Sequence, residues 1–305
     1  MSASVAGHQT DALFLAMVLL CGGMALLLAG IIVFFAVRYR AGSDADRSRP
    51  PSHANGLEAA WTLLPLLLFF GVFAWAAWVY VAQRQPPDDA LPVYVTGKQW
   101  MWKLQHSGGR REINELHVPL GQPVKLVMTS EDAIHSFYLP AFRVKQDVVP
   151  GRYSTLWFTA DRLGDFRLFC AEYCGSEHSA MVGRVVVMAP ADYARWLATG
   201  PAEPGLAERG ARLFRENGCT GCHDRGSTVR APELAGLYGR RVALQDGRAV
   251  TADETYLRDA MVVPAKDIVA GYAAVMPSYA GQLSEEDIQA LIAYLRQPPP
   301  SGSTP

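Results

Sequence analysis

Cys170-Ala-Glu-Tyr-Cys174-Gly-Ser-Glu-His178-Ser-Ala-Met181 places two thiols, an imidazole and a thioether within one short stretch. It directly follows Phe166-Arg-Leu-Phe169, which reads as a strand. Soft sulfur with imidazole suits copper, zinc or an iron–sulfur cluster, and thioether sulfur favours copper. A disulfide between Cys170 and Cys174 would leave His178 and Met181 without a purpose. A structural zinc site separates its cysteine and histidine pairs by a longer finger and makes no use of Met. A mononuclear blue-copper centre takes one Cys. Two bridging thiolates imply two metal ions sharing the site.

The segments around this stretch are short alternating or β-branched runs: Val93-Tyr-Val-Thr96, Val124-Lys-Leu-Val-Met-Thr129, Thr155-Leu-Trp-Phe-Thr159 and Val185-Val-Val-Met188. Turn residues separate them at Gly108-Gly109, Pro119, Pro123 and Pro150-Gly151. Strands at roughly ten-residue spacing without helical periodicity predict an all-β sandwich. Met128 and Met188 read as core fillers. His8, His53, His106 and His117 lack the context of His178 and read as surface or loop residues.

The whole chain has 305 residues, 28 basic and 29 acidic, for a net charge of −1. That balance gives no reason to expect nucleic acid as a partner. Apolar types make up 50% and charged types 19%, fewer charges than the roughly 25% of an ordinary soluble chain, which excludes a disordered or collagen-like protein. The apolar excess is local. Residues 12–37 and 59–83 carry no charged side chain, and at about 1.5 Å per residue each exceeds the roughly 30 Å hydrocarbon core. Two membrane spans are expected, with Pro65 in the first turns of the second. The leader before the first span has no Lys or Arg, unlike a signal peptide, and Cys21 within the span has no expected role. Arg38, Arg40, Arg47 and Arg49 lie between the spans whereas the N-terminal tail has no basic residue. The connecting loop is therefore expected in the cytoplasm, with both termini and everything beyond the second span outside.

Residues 84–92 and 199–207 read as linkers, the second after a short helix at 192–197. Beyond it, Cys219-Thr-Gly-Cys222-His223 follows an amphipathic leader containing Leu206, Leu213 and Phe214. Two thiols that add to haem vinyl groups and a neighbouring iron-binding His are the signature of c-type haem attachment. The segment Ala231-Pro232-Glu-Leu234 resembles the cytochrome c stretch whose Pro carbonyl supports that His. Met276, followed by Pro277, fits the distal axial ligand, with Met261 in a helical run as its rival. Ser284 with Glu285, Glu286 and Asp287 opens a last helix reaching residue 296. Residues 298–305 read as a disordered tail.

Taken together, the C-x3-C-x3-H-x2-M pattern, Thr129-Ser-Glu-Asp-Ala-Ile-His135 and Lys145-x-Asp147-Val-Val-Pro-Gly-Arg152 resemble subunit II of the haem–copper cytochrome c oxidases. So do Glu58-Ala-Ala-Trp61 at the second span and Gly97-Lys-Gln-Trp100-Met-Trp102, where Lys98 and Met101 depart from the family's His and Tyr. The resemblance covers residues 11–198. It implies a multidomain chain: a tail and two-helix transmembrane hairpin (1–85), an all-β cupredoxin sandwich (86–198), a linker, an all-α cytochrome c domain (208–297) and the tail. It further implies a dinuclear copper A centre in which Cys170 and Cys174 bridge and His135 and His178 each bind one copper. Met181 and the carbonyl of Glu172 would be weak ligands, and the Glu172 side chain would face a magnesium ion. Trp100 would be the exposed aromatic that takes in electrons; the alternative is a buried aromatic on a strand. Glu131 and Asp132 would belong to an acidic docking face, and Glu58 would serve a proton path.

With the haem motif, the arrangement resembles the caa-type oxidase subunit II. It implies an electron-input subunit of a bacterial plasma-membrane oxidase, fed by cytochrome c or a bc complex. Its partners would be subunit I, which reduces oxygen to water with proton pumping, and subunit III. The alternatives are the same module feeding a copper-A nitric oxide reductase, or a stand-alone membrane-tethered carrier. The short second linker is expected to tether the cytochrome at high effective concentration.

Overall fold

Ser4 opens the first helix, α1 (Val5–Arg38), by accepting the Gly7 amide on its hydroxyl at 3.0 Å. A computed structural model describes residues 2–48, 54–199, 205–224, 227 and 229–297. His53, Arg49, most of the second linker and the tail from 298 lie outside the described residues. The chain divides into Met1–Gln85 and Pro86–Pro305.

In the first unit, α1 and α2 (Asn55–Arg84) are both long and apolar enough to cross a membrane. The side chains of Thr10 and Gln83 join them at 3.2 Å. Because α2 starts four residues before the uncharged run, Pro65 lies inside the helix rather than in its first turns. It removes one backbone bond there, which helices in lipid tolerate when neighbouring groups adjust.

The second unit begins with ten strands: β1 (Leu91–Lys98), β2 (Met101–His106), β3 (Arg111–Ile113), β4 (Glu115–Pro119), β5 (Pro123–Ser130), β6 (His135–Leu139), β7 (Val144–Val148), β8 (Ser154–Thr159), β9 (Gly164–Cys170) and β10 (Val182–Met188). They form two five-stranded sheets, β3-β2-β1-β5-β8 and β4-β10-β9-β6-β7. Alternate residues fill the space between the sheets. Val95, Trp102, Leu126, Met128 and Phe158 come from one, and Leu116, Phe137, Leu168 and Val185 from the other. Trp102 meets Phe137 edge to face at 5.0 Å. Met128 is fully buried, as a core filler is.

Helix α3 (Pro190–Ala198) follows, then α4 (Leu206–Glu216), the single turn α5 (Thr220–His223), α6 (Glu254–Val262) and α7 (Glu285–Leu295). Helices α4 and α7 cross where Gly210 faces the Ala290 carbonyl; a Cβ at Gly210 would fall 2.0 Å from that oxygen. Ser284 and Asp287 close a capping box at the start of α7. Beyond the helices, β11 (Arg241–Ala243) and β12 (Ala249–Thr251) add a hairpin to a segment expected to be all helix. Its turn residues Asp246-Gly247, the glycine at φ +86°, are a hairpin signal in the sequence.

Strand β1 is buried on both faces. Val93 and Val95 point into the sandwich, whereas Tyr94 and Val127 of β5 pack outward against Leu206 of α4 and Ala290 of α7. The buried Gln289 amide donates to the Thr96 hydroxyl at 3.3 Å. Arg258, 8% exposed, holds Glu285 and donates to the Gly151 carbonyl at 2.9 Å. Lys103 bridges Glu131 at 2.9 Å and Glu286 at 3.1 Å at the rim. This is a packed interface rather than a loose tether. Cutting the chain between residues 200 and 204 is therefore expected to leave the two fragments together in size-exclusion chromatography under native conditions. Separation of the fragments would show that only the linker holds them.

His106 and His117 are not loop residues. They sit on β2 and β4, His106 at 2% exposure, and share one carboxylate. Glu112 meets His106 Nε2 at 2.8 Å and His117 Nδ1 at 2.5 Å, while the Tyr193 hydroxyl donates to His106 Nδ1 at 3.1 Å. The ring of Trp196 stacks on His117 at 4.3 Å, so the cluster fastens α3 to the sheet. Burial alone would raise the Glu112 carboxyl, but the bonds from His106 and His117 hold it below its ordinary value of 4.5. The stability this contributes is complete above that value and lost as pH falls through the lowered one. Glu112→Ala is expected to cost roughly 3 kcal/mol in denaturant unfolding at pH 7, and less in acid, because it takes a partner from the buried His106 and the half-buried His117.

Candidate metal centre and haem pocket

Five candidate ligand side chains converge at one end of the sandwich. His135 begins β6, Cys170 ends β9, Cys174 and His178 lie in the following loop, and Met181 leads into β10. Backbone bonds close this loop: Cys170 N–H to the Met181 carbonyl at 3.2 Å, Ala171 N–H to the Ser136 carbonyl at 2.9 Å, and His178 N–H to the Gly175 carbonyl at 3.1 Å. Gly175 has φ +123°, a conformation that suits glycine, and a Cβ there would press on Gln99 and Trp100. Gln99 Nε2 donates to the Cys174 carbonyl at 2.7 Å.

The two sulfurs stand 3.8 Å apart, too far for a disulfide bond. They are close enough for one metal ion to lie about 2.3 Å from both. His135 Nδ1 is 3.9 Å from Cys170 Sγ, His178 Nδ1 is 3.5 Å from Cys174 Sγ, and Met181 Sδ is 3.9 Å from Cys174 Sγ. The Glu172 carbonyl lies 3.2 Å from Cys170 Sγ, while its side chain is exposed. Each sulfur thus has its own imidazole. Burial raises the Cys170 thiol, but hydrogen bonds led by His135 outweigh it and bring it down to about 6. Burial and the adjacent Cys170 thiolate push Cys174 up to about 12. The pair gives up one proton readily and holds the second until a cation displaces it.

Asp132, expected on a docking face, does something else. Its carboxylate accepts the amides of Gln99 at 2.7 Å and Ala133 at 2.6 Å, and meets His135 Nε2 at 2.8 Å. Engaging Nε2 leaves Nδ1 aimed at the sulfurs, the arrangement that orients metal-binding histidines. Glu131 is likewise paired, with Lys98 at 3.0 Å and with Lys103. An Asp three residues before a ligand His was the available sign of this role. Trp100 is half-buried against Gly175, next to Cys174.

The second site is a cavity of about 550 Å3 lined by Cys219, Cys222, His223, Met261 and Met276. His223 Nδ1 lies 3.0 Å from the Pro232 carbonyl, which leaves Nε2 for an iron atom. Met261 is packed in the helical core with Tyr256, Leu257 and Leu291, whereas Met276 is half-buried in the loop before α7. The Tyr279 hydroxyl donates to the Asn217 carbonyl at 3.0 Å and ties that loop to the haem-motif turn.

Residues 110–189 match the family profile of cytochrome c oxidase subunit II, periplasmic domain, and residues 207–298 match that of cytochrome c. A cytochrome c oxidase subunit 2 of Alkalihalophilus pseudofirmus is 32% identical over 280 residues, spanning 87% of this chain and 80% of its own length. The chain belongs to the cytochrome c oxidase subunit 2 family. Another member, from Synechocystis, is 29% identical over 251 residues, across 67% of this chain and 76% of its own. The solved periplasmic domain of subunit II from Bradyrhizobium japonicum is 32% identical over 38% of this chain and 96% of that one, with a TM-score of 0.37. A subunit 2 with a fused cytochrome c domain implies copper A and a c-type haem, and both donor sets fit them. Asp132→Ala is expected to lower copper affinity roughly 10–100-fold in competition with a chelator, leaving haem content unchanged.

Proposed function

We propose that this chain brings electrons into a membrane terminal oxidase, from a cytochrome c or bc-complex donor by way of a haem on Cys219 and Cys222 to copper A. The onward acceptor is subunit I, where oxygen is reduced to water and protons are pumped, with subunit III alongside. The supporting observation is the pairing, in one compact unit, of a two-thiolate, two-imidazole site with a cavity carrying the haem-attachment motif. When bound, the copper pair and the haem would each carry one electron at a time.

The protein's own part is to hold ligands still. Cys170 and Cys174 would be shared by the two coppers, His135 and His178 would each hold one, and Met181 with the Glu172 carbonyl would complete the set. Because β6, β9 and β10 anchor these residues, the site keeps its shape when its charge changes. His223 and Met276 would bind the haem iron. Met276 is favoured over Met261 because its loop can adjust to the iron, while Met261 is held by the helical core. A neutral His with a thioether raises the reduction potential of such a haem.

The exposed Glu172 carboxylate would be a hard oxygen ligand for a magnesium ion at the boundary with subunit I. Trp100, against Gly175, would be the entry point for an electron that reaches copper A without passing through the haem. Glu58, exposed in the first turn of α2, serves a proton path. The arginine-bearing loop between the helices is cytoplasmic, and both termini and both redox domains are periplasmic.

Metal analysis of the full chain purified with its partners tests this reading. About two coppers and one covalently held iron per chain are expected. Cys174→Ser is expected to lose the copper and abolish oxygen uptake while keeping the haem. Full oxygen consumption without copper would refute the route.

A further inference from the structure

We propose that the hydrogen bond between Gln289 and Thr96 is the electronic contact between the two redox domains, carrying the electron from the fused haem to the His135 side of copper A. This rests on the function proposed above and names the residues of one step within it.

Three observations place the contact. Leu291 of α7 lines the haem cavity, and Gln289 lies two residues earlier on the same helix. Across the domain interface, the Gln289 amide donates to the Thr96 hydroxyl at 3.3 Å; the two residues are 2% and 1% exposed. Thr96 is followed by Gly97, which lies so close to the His135 imidazole that a Cβ on Gly97 would fall 2.9 Å from the ring Cδ2. His135 in turn faces Cys170. Leu291, Gln289, Thr96, Gly97 and His135 thus form a run of covalent segments broken by one hydrogen bond and one van der Waals contact. Trp100 lies outside this run, on the Gly175 side of the centre.

Packing alone gives little reason for the bond. Around it the interface is largely apolar, with Tyr94, Val127, Leu206 and Ala290. Burying a Gln and a Thr there costs about as much as their bond returns, and apolar side chains of the same shape would hold the domains equally well. A hydrogen bond does transmit electronic coupling better than a van der Waals gap of similar span. In the step itself one electron leaves the ferrous haem, which becomes ferric, and reduces the oxidised copper pair by one. No bond breaks and no proton moves. Gln289 and Thr96 are positioning residues, since neither touches a metal ligand set.

The test uses the full chain in detergent with both centres loaded. A photoreductant delivers one electron to the haem, and haem and copper absorbance follow its onward transfer. Thr96→Val and Gln289→Leu are each expected to slow the transfer several-fold with the copper spectrum unchanged, and to lower the thermal midpoint because one buried polar group loses its partner. The double variant is expected to regain the midpoint, yet to transfer no faster than the slower single variant. Lys103→Ala, which removes a rim ion pair from the same interface, is expected to transfer at the wild-type rate. A double variant that regains rate along with midpoint, or single variants that transfer as fast as wild type, would overturn the proposal. Absence of haem-to-copper transfer in the wild-type chain would instead overturn the functional reading beneath it.

Discussion

Burial of strand β1 on both faces is the constraint on which the two redox sites depend. Its inner residues, Val93 and Val95, fix the sandwich core, and Gly97 at its end admits the His135 ring. Its outer residues, Tyr94 and Thr96, receive the cytochrome helices. A strand with one solvated face would alternate apolar and polar side chains. Here the outward Tyr94 and Val127 are apolar because a second domain covers them. The copper ligands and the haem cavity are thereby held by one packed body, without relying on chance encounters along a linker.

Electrostatics around the copper ligands follow a consistent logic. Acids near the centre are occupied: Asp132 holds His135, and Glu131 is shared by Lys98 and Lys103. The two thiols differ: bonds led by His135 lower Cys170 despite its burial, whereas burial and the neighbouring Cys170 raise Cys174. The same economy appears at Glu112, whose two oxygens each meet an imidazole, of His106 and of His117.

Much of this was legible in the sequence because it is local. The thiol, imidazole and thioether spacing of the 170–181 loop, the haem-attachment motif and the two long uncharged runs each lie within one contiguous stretch. Residue type and spacing carry their chemistry directly. The alternating strands gave the sandwich, and Ser284 gave the start of α7. The Asp246-Gly247 hairpin was equally local, and the expectation of an all-helical domain passed over it.

What sequence spacing left undecided is what requires distant residues to meet. His106 and His117 looked like surface residues because Glu112, Tyr193 and Trp196 come to them from separate strands and a later helix. Asp132 was read on its charge alone, although its place three residues before His135 was a local sign of the bond to that imidazole. The linker looked like a tether because composition cannot show whether Tyr94 and Ala290 will pack. The sequence by itself determined the local donor groups of the 170–181 loop and the haem-attachment motif, since ligand chemistry resides in single side chains and short spacings. Only the tertiary structure decided how those sites are oriented and joined, since hydrogen-bond partnership and packing depend on chain segments brought together by folding.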